Sequence, residues 1–216
     1  MKSLLKLAVQ KSGRLSTDSM NLLEDSRFIF PDYSDQLKIT ASNFPLEVYF
    51  LRADDIPRFV SKGVVDIGIV GENTVIERNE PILLHKHLDF GKCRLSIAIP
   101  EDQRYEGIQD VYGKRIATSY PNTLSNYLKE NKIIADIEMM NGSVELAVEI
   151  GISDIICDIV SSGNTLRLNN LKEVEVILNS EALLIGNKFL SEEKQSILEK
   201  FIFKIGYKWV YVWGEI

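Results

Sequence analysis

Apolar positions fall into short runs separated by polar, glycine-bearing turns, and the spacing within the runs alternates between strand-like and helical. Leu4 to Val9 is a short apolar run that ends in Gln10-Lys11-Ser12-Gly13-Arg14-Leu15-Ser16. Met20, Leu22 and Leu23 then recur at helical spacing behind a capping Ser16 or Thr17, so the pattern predicts strand, glycine-containing turn, helix. The unit repeats. Val48 to Leu51 is strand-like, and Asp54-Asp55-Ile56-Pro57 opens a helix with acids in its first turn and proline just inside its start. Gly63 closes that helix, Val64 to Val70 follows as a buried strand ending at Gly71, and Glu72 onward is helical. Successive βα units predict a mostly parallel sheet.

A second series begins at Arg94 to Pro100 and continues with Arg115 to Thr118 as strands. Pro121 to Lys132 is a helix with Leu124, Tyr127 and Leu128 on one face. Ile137 to Met140 suits a strand, Asn141-Gly142-Ser143 a turn and N-cap, and Val144 to Ile150 a helix stopped by Gly151. Asp154 to Val160 is the most apolar strand of this half and runs into Ser161-Ser162-Gly163-Asn164-Thr165-Leu166. Glu192 to Ile205, with Ile197, Leu198, Phe201, Ile202 and Ile205, reads as a closing helix. After it, Tyr207, Trp209, Tyr211 and Trp213 alternate with Val210 and Val212, a strand pattern apolar on both faces that needs cover.

The expected fold is α/β with two lobes: residues 1–93 plus 181–216 form the first and residues 94–180 the second. Short crossings near 92–95 and 178–182 join them, and the cleft between lobes is the default ligand site. Composition narrows the class. The 216 residues, 45% apolar, suffice for a real core, and 25 basic against 31 acidic residues give a net charge of −6. An acidic body argues against non-specific nucleic-acid binding. No apolar run is long enough to span a membrane, and Met1 to Val9 lacks a signal-peptide cleavage site. Cys93 and Cys157 each lie in or beside an apolar run, which fits reduced thiols of a cytoplasmic protein. His85 and His87 have only Asp89 beside them as a further ligand type, which argues against zinc.

Two loops fit the rule that open α/β sheets bind ligands at the carboxyl ends of strands. In Asp158 to Leu166 a buried strand delivers Ser161, Ser162 and Thr165 around Gly163, whose backbone can bend so that successive N–H groups face a phosphate. An ordinary polar turn accounts for the same composition. Asp158, however, is a carboxylate in an apolar strand and needs a partner, which a pair of ribose hydroxyls would supply. The second loop, Lys11-Ser12-Gly13-Arg14, sets two cations around a glycine; Arg can grip a phosphate through two N–H groups and Lys adds a point charge. Solvated turn cations are the plainer alternative.

Six segments carry a resemblance: Gln10 to Leu15, Leu51 to Pro57, Val65 to Gly71, Phe90 to Leu95, Asn141 to Glu145 and Ser161 to Leu166. Taken in order, they resemble the ATP phosphoribosyltransferases of histidine biosynthesis, the Gln-Lys-Ser-Gly-Arg-Leu form being closest to the long-chain branch. The resemblance implies a fold like the type II periplasmic binding proteins. It also implies condensation of ATP with phosphoribosyl pyrophosphate to give phosphoribosyl-ATP and pyrophosphate, with Mg2+ held mainly by the substrate. Carried over by position, Ser161, Ser162, Gly163, Asn164 and Thr165 would hold the 5′-phosphate and Asp158 the ribose hydroxyls. Arg14 with Lys11, around Gly13, would neutralise the departing pyrophosphate; Asn141, Gly142, Ser143 and Glu145 would line the same cleft.

The chain departs from the family twice. Gln36, before Leu37, stands where members commonly carry a second arginine, which shifts weight onto other cations such as Arg52. The long-chain members also continue into a histidine-binding regulatory domain beyond the point where this sequence reaches its aromatic tail. The expectation is therefore a catalytic core without that domain, assembling as a homo-oligomer, with a separate regulatory subunit as a further partner. A non-catalytic two-lobed anion-binding protein and a regulatory remnant of the enzyme are the rival readings.

Overall fold

The computed structural model describes residues 3–32 and 36–206, so the aromatic tail Tyr207 to Trp213 lies outside the described residues. The chain divides into two compact units, one formed by the chain up to Gly91 and again from Glu181, the other by Lys92–Ser180.

The first unit contains β1 (Leu5–Gln10), α1 (Arg14–Asp25), β2 (Lys38–Thr40), β3 (Leu46–Leu51), α2 (Ile56–Ser61), β4 (Ile67–Gly71), α3 (Glu72–Arg78) and β5 (Leu83–His87). The chain leaves for the second unit and returns as β11 (Ala182–Gly186) and α6 (Glu192–Lys204). Its sheet runs β2-β3-β1-β4-β11-β5. β1 is parallel to both β3 and β4, whereas β2, β11 and β5 join antiparallel.

Side chains alternate across a strand, and here both faces are covered. Leu5, Leu7 and Val9 pack with Met20 and Leu23 of α1 and with Leu198, Phe201 and Ile202 of α6. Ala8, between them, packs on the other side with Ile56 and Val60 of α2 and Val75 of α3. Gly186 allows β11 to pass against the imidazole of His85, which any Cβ at that position would strike. Burial pushes His85 down to about 4, so it packs there as a neutral ring.

A buried carboxylate ties the late-arriving α6 to the sheet. Asp66, its side chain 5% exposed, accepts the Lys6 N–H at 2.8 Å and the Lys194 ammonium at 2.7 and 2.9 Å. Its backbone also donates to Lys6 O and accepts from the Asn187 N–H. The helix itself starts on Ser191, whose Oγ accepts the Lys194 N–H, with Glu192 and Glu193 favourable in the first turn.

The second unit contains β6 (Cys93–Pro100), β7 (Arg115–Thr118), α4 (Pro121–Glu130), β8 (Asp136–Met139), β9 (Ile155–Val160), α5 (Asn164–Leu168) and β10 (Leu171–Ser180). The sheet runs β10-β6-β9-β7-β8. β9, β7 and β8 are mutually parallel, and β6 is antiparallel to both its neighbours. Leu95, Ile97 and Ile99 face α4 on one side; Ala98 packs on the other with Ile156, Val160, Val144 and Leu166.

Four expectations are corrected. The sheets are mixed rather than mostly parallel, because β2 and the strands on which the chain crosses between the units run against their neighbours. Val64 and Val65 belong to the turn closing α2, both N–H groups donating to Phe59 O, so β4 starts only at Ile67. The first helix begins at Arg14: Gly13, with φ 88°, is its N-cap, and the Gly13 carbonyl accepts from the Ser16 and Thr17 N–H groups, which excludes Ser16 and Thr17 as caps. Val144 to Ile150 forms one 3₁₀ turn, Val144–Leu146, followed by irregular turns. Only Val144 and Ala147 are fully buried there, too few apolar positions to repay a longer helix.

Replacing Lys194 with Met is expected to lower unfolding stability by about 2–4 kcal/mol, since it strands a buried carboxylate. Replacing Arg104, whose pair with Glu106 is exposed, should leave the midpoint unchanged. Chemical denaturation of both variants checks the contrast; equal effects would show that the buried pair ties nothing.

Candidate active site

Because β9, β7 and β8 are parallel, their carboxyl ends lie along one edge of the sheet, and the segments after Thr118, Met139 and Val160 all leave from it. One of these is the Ser161 to Leu166 loop singled out from the sequence, and another carries the Asn141 to Ser143 turn that the resemblance adds. After β9, Ser161 and Ser162 are exposed and Gly163 takes the left-handed conformation (φ 76°) that starts α5. The Asn164 N–H donates to Ser162 Oγ at 3.4 Å, and the Arg167 N–H to Gly163 O at 3.2 Å. Thr165 is exposed, while Leu166 anchors the loop in the core.

After β8, Asn141, Gly142 and Ser143 form an exposed turn, Ser143 with a positive φ of 50°. Val144 then enters the same small core as Leu166 and Val160. The two loops are thus neighbours by packing. Asp158 stands opposite Ser96 in the β6–β9 pair, which puts it on the face occupied by this core. Burial pushes its carboxyl up to about 6; a hydrogen bond from the Ile159 backbone pulls the other way, and the negative charge of Glu145 adds to the rise. Asp158, Glu145, Asn141 to Ser143 and Ser161 to Thr165 therefore form one group within the second unit.

Lys11, Gly13 and Arg14 form a separate group in the first unit, at the carboxyl end of β1. The Lys11 N–H extends the ladder by donating to Leu51 O at 2.7 Å, and Gln10 Nε2 donates to Ser12 O at 2.6 Å. Arg14 is the first residue of α1 and, like Lys11, is exposed. No acid sits in the first turn of α1, so the positive end of the helix and both cations act together. Gln36 is exposed, its amide donating to Asp32 O, and Arg52 is the exposed residue preceding a short 3₁₀ turn.

Three residues at the site escaped the sequence reading. Arg94 donates from Nε and Nη2 to Glu173, and Ser96 Oγ donates to Glu173 Oε1 at 2.7 Å. The hydrogen bonds to Arg94 hold Glu173 below the usual carboxylate range and, in return, raise Arg94, so both are charged. Arg94 Nη1 also reaches Ser161 O at 3.3 Å. Seventy-nine positions separate Arg94 from Glu173; only an acid inside the alternating run Leu171 to Ser180 hinted at a partner.

Two α/β units with hydroxyl-, glycine- and cation-bearing loops at strand carboxyl ends define a two-lobed α/β protein. The extracellular-binding protein ytmK of an amino-acid ABC transporter from Bacillus subtilis shares the fold, with a TM-score of 0.58 at 15% identity over 94% of this chain and 93% of that one. A chain of the ATP phosphoribosyl transferase (HisG:HisZ) complex from Thermotoga maritima is more similar, with a TM-score of 0.79 at 29% identity, covering 94% of this chain and 96% of that one. The ATP phosphoribosyltransferase of Cytophaga hutchinsonii is 52% identical over 205 residues, 95% of this chain and 72% of the relative. The sequence profile of the family, ATP phosphoribosyltransferase, matches residues 52–206. The chain belongs to the ATP phosphoribosyltransferase family, the transferases that join ATP to phosphoribosyl pyrophosphate in the first step of histidine biosynthesis.

Asp158 gives the site a measurable cost. Its folded pKa lies above its ordinary value of 3.8, so the folded chain holds the proton longer, and stability is lost as pH rises from about 4 through 6. Asp158→Asn should therefore stabilise the ligand-free protein by about 1–3 kcal/mol above pH 6, with the difference vanishing below about pH 4. Denaturation of both proteins across this range tests it; a variant no more stable than the wild type at pH 7 would show that the carboxylate is already compensated.

Proposed function

We propose that the second-unit loop Ser161 to Thr165 holds the 5′-phosphate of phosphoribosyl pyrophosphate and that Asp158 accepts hydrogen bonds from its ribose hydroxyls. The single observation that carries this reading is a largely buried carboxylate placed two residues before the end of β9, immediately ahead of a loop of exposed hydroxyls bent at Gly163. Arg14, assisted by Lys11 and the Gly13 turn, stabilises the departing pyrophosphate. Glu145 and the Asn141-Gly142-Ser143 turn line the sugar and nucleotide side of the same site.

The chemistry asks for such groups. The N1 nitrogen of adenine forms a bond to the anomeric carbon as the bond from that carbon to the pyrophosphate oxygen breaks. In the transition state the sugar gains positive and the leaving group negative charge. Cations fixed where that negative charge develops lower the barrier more than they stabilise bound substrate. The attacking nitrogen carries no proton, so no general base is required at it. The neighbouring carboxylates Asp158 and Glu145 are hard oxygen donors of the kind that suits Mg2+, and the ion, held mainly by pyrophosphate oxygens and water, would share in neutralising their charge.

The chain works as a homo-oligomer in the cytoplasm. Phe189 and Phe203, 89% and 79% exposed, support an assembly surface on the first unit. Among the described residues no helix is long and apolar enough to cross a membrane. The HisG:HisZ complex of the Thermotoga relative supports a separate regulatory partner as well.

Pyrophosphate release from ATP, phosphoribosyl pyrophosphate and Mg2+, measured with and without such a partner, tests the reading. Arg14→Ala should lower kcat by about a hundredfold with an unchanged fold. Asp158→Asn should raise KM for phosphoribosyl pyrophosphate by about tenfold. Wild-type kinetics in both variants would assign these residues to structure alone, and tight anion binding without turnover would favour the non-catalytic reading.

A further inference from the structure

Arg94 touches the phosphate loop without any part in the reaction described above. It stands near the start of β6, opposite Val160 in the β6–β9 pair, one residue before the loop begins. Its guanidinium is held by Glu173 through Nε and Nη2, and Glu173 is itself steadied by Ser96 Oγ. This leaves Nη1, which donates to the Ser161 carbonyl at 3.3 Å. With its charge matched by Glu173, Arg94 is poorly placed to serve as a free cation for substrate, yet its planar fork is fixed in direction.

That direction has a consequence for the loop. In a planar trans peptide the carbonyl and the following N–H point to opposite sides. Anchoring Ser161 O on Arg94 therefore turns the Ser162 N–H to the side away from the guanidinium. A rotated peptide would offer an anion a carbonyl oxygen in place of a donor. Ser161 and Ser162 are both exposed and precede a glycine, so the direction of their shared peptide is not fixed by burial.

We propose that Arg94 is a positioning residue for the phosphoribosyl pyrophosphate site, fixing the Ser161–Ser162 peptide so that its N–H faces the phosphate, and that Glu173 and Ser96 hold Arg94 in that role. The inference rests on the loop being the phosphate site. Arg94→Lys, which keeps the charge but loses the fork, and Glu173→Gln, which keeps the volume, should each raise KM for phosphoribosyl pyrophosphate by about tenfold. KM for ATP should change less than about twofold, and the double variant should be no worse than the weaker single one, since the residues act as one unit. Ser96→Ala, the mildest change, should move the same constant in the same direction and serves if either charged variant fails to fold.

An unchanged or lower KM for phosphoribosyl pyrophosphate in Glu173→Gln and Ser96→Ala overturns the proposal, because a cation freed to meet substrate directly behaves that way. A parallel rise in both KM values also overturns it, marking a general loss of structure. Thr165→Val separates the two levels. If it leaves KM for phosphoribosyl pyrophosphate unchanged, the phosphate-loop reading falls and the proposal with it; if it raises that constant while Glu173→Gln and Ser96→Ala do not, only the role of Arg94 falls.

Discussion

Parallel strand pairing is the constraint from which the placement of the functional groups follows. A strand can lie parallel to its neighbour only if the connecting chain crosses back, so every loop after a parallel strand leaves from the same edge of its sheet. In the first unit this gathers the turns after β1, β3 and β4, and Lys11 to Arg14 with them. In the second it gathers the turns after β7, β8 and β9. The antiparallel strands at the flanks of each sheet do not disturb these edges. They complete the sheets, and β6, running backward beside β9, brings its own beginning and thus Arg94 to the edge where the loop after β9 leaves.

At that edge two carboxylates have opposite surroundings. Asp158 sits where burial and the charge of Glu145 both oppose its ionisation, a position that no folding argument favours. Close by, the Arg94 and Glu173 charges satisfy one another and Ser96 completes the pair. One carboxylate thus faces burial and a like charge with the Ile159 backbone as a partial offset, and another is matched by Arg94 and Ser96 on the same face of one sheet. The first carboxyl is accordingly raised and the second lowered from the ordinary carboxylate value.

Much of this was legible in the sequence because it is local. Apolar runs located β1, β4, β6, β7 and β9, and the hydroxyls around Gly163 and the cations around Gly13 are each contained within a few residues. What stayed hidden is non-local. The strand β11, Ala-Leu-Leu-Ile-Gly, is too short to reveal its interior place between β4 and β5, and β10 carries two register shifts that blur its alternation. Charged and polar residues thin the apolar pattern of β2 and β5. The helix expected after Ser143 failed because burial at Val144 and Ala147 does not continue into a further turn. The Asp66 to Lys194 and Arg94 to Glu173 pairs join residues 128 and 79 positions apart, and no spacing rule reaches that far.

The place of β11 between β4 and β5 also sets an order of assembly. Both of its partners are synthesised roughly a hundred residues before it, so on the ribosome the first sheet remains split into two pieces, with apolar edges unpaired, until Ala182 to Gly186 emerge. The second unit, by contrast, is one continuous stretch and has all its strands in hand by Ser180. The half of the protein that begins first therefore finishes last, and the interior strand that closes it arrives only after the second unit is already whole.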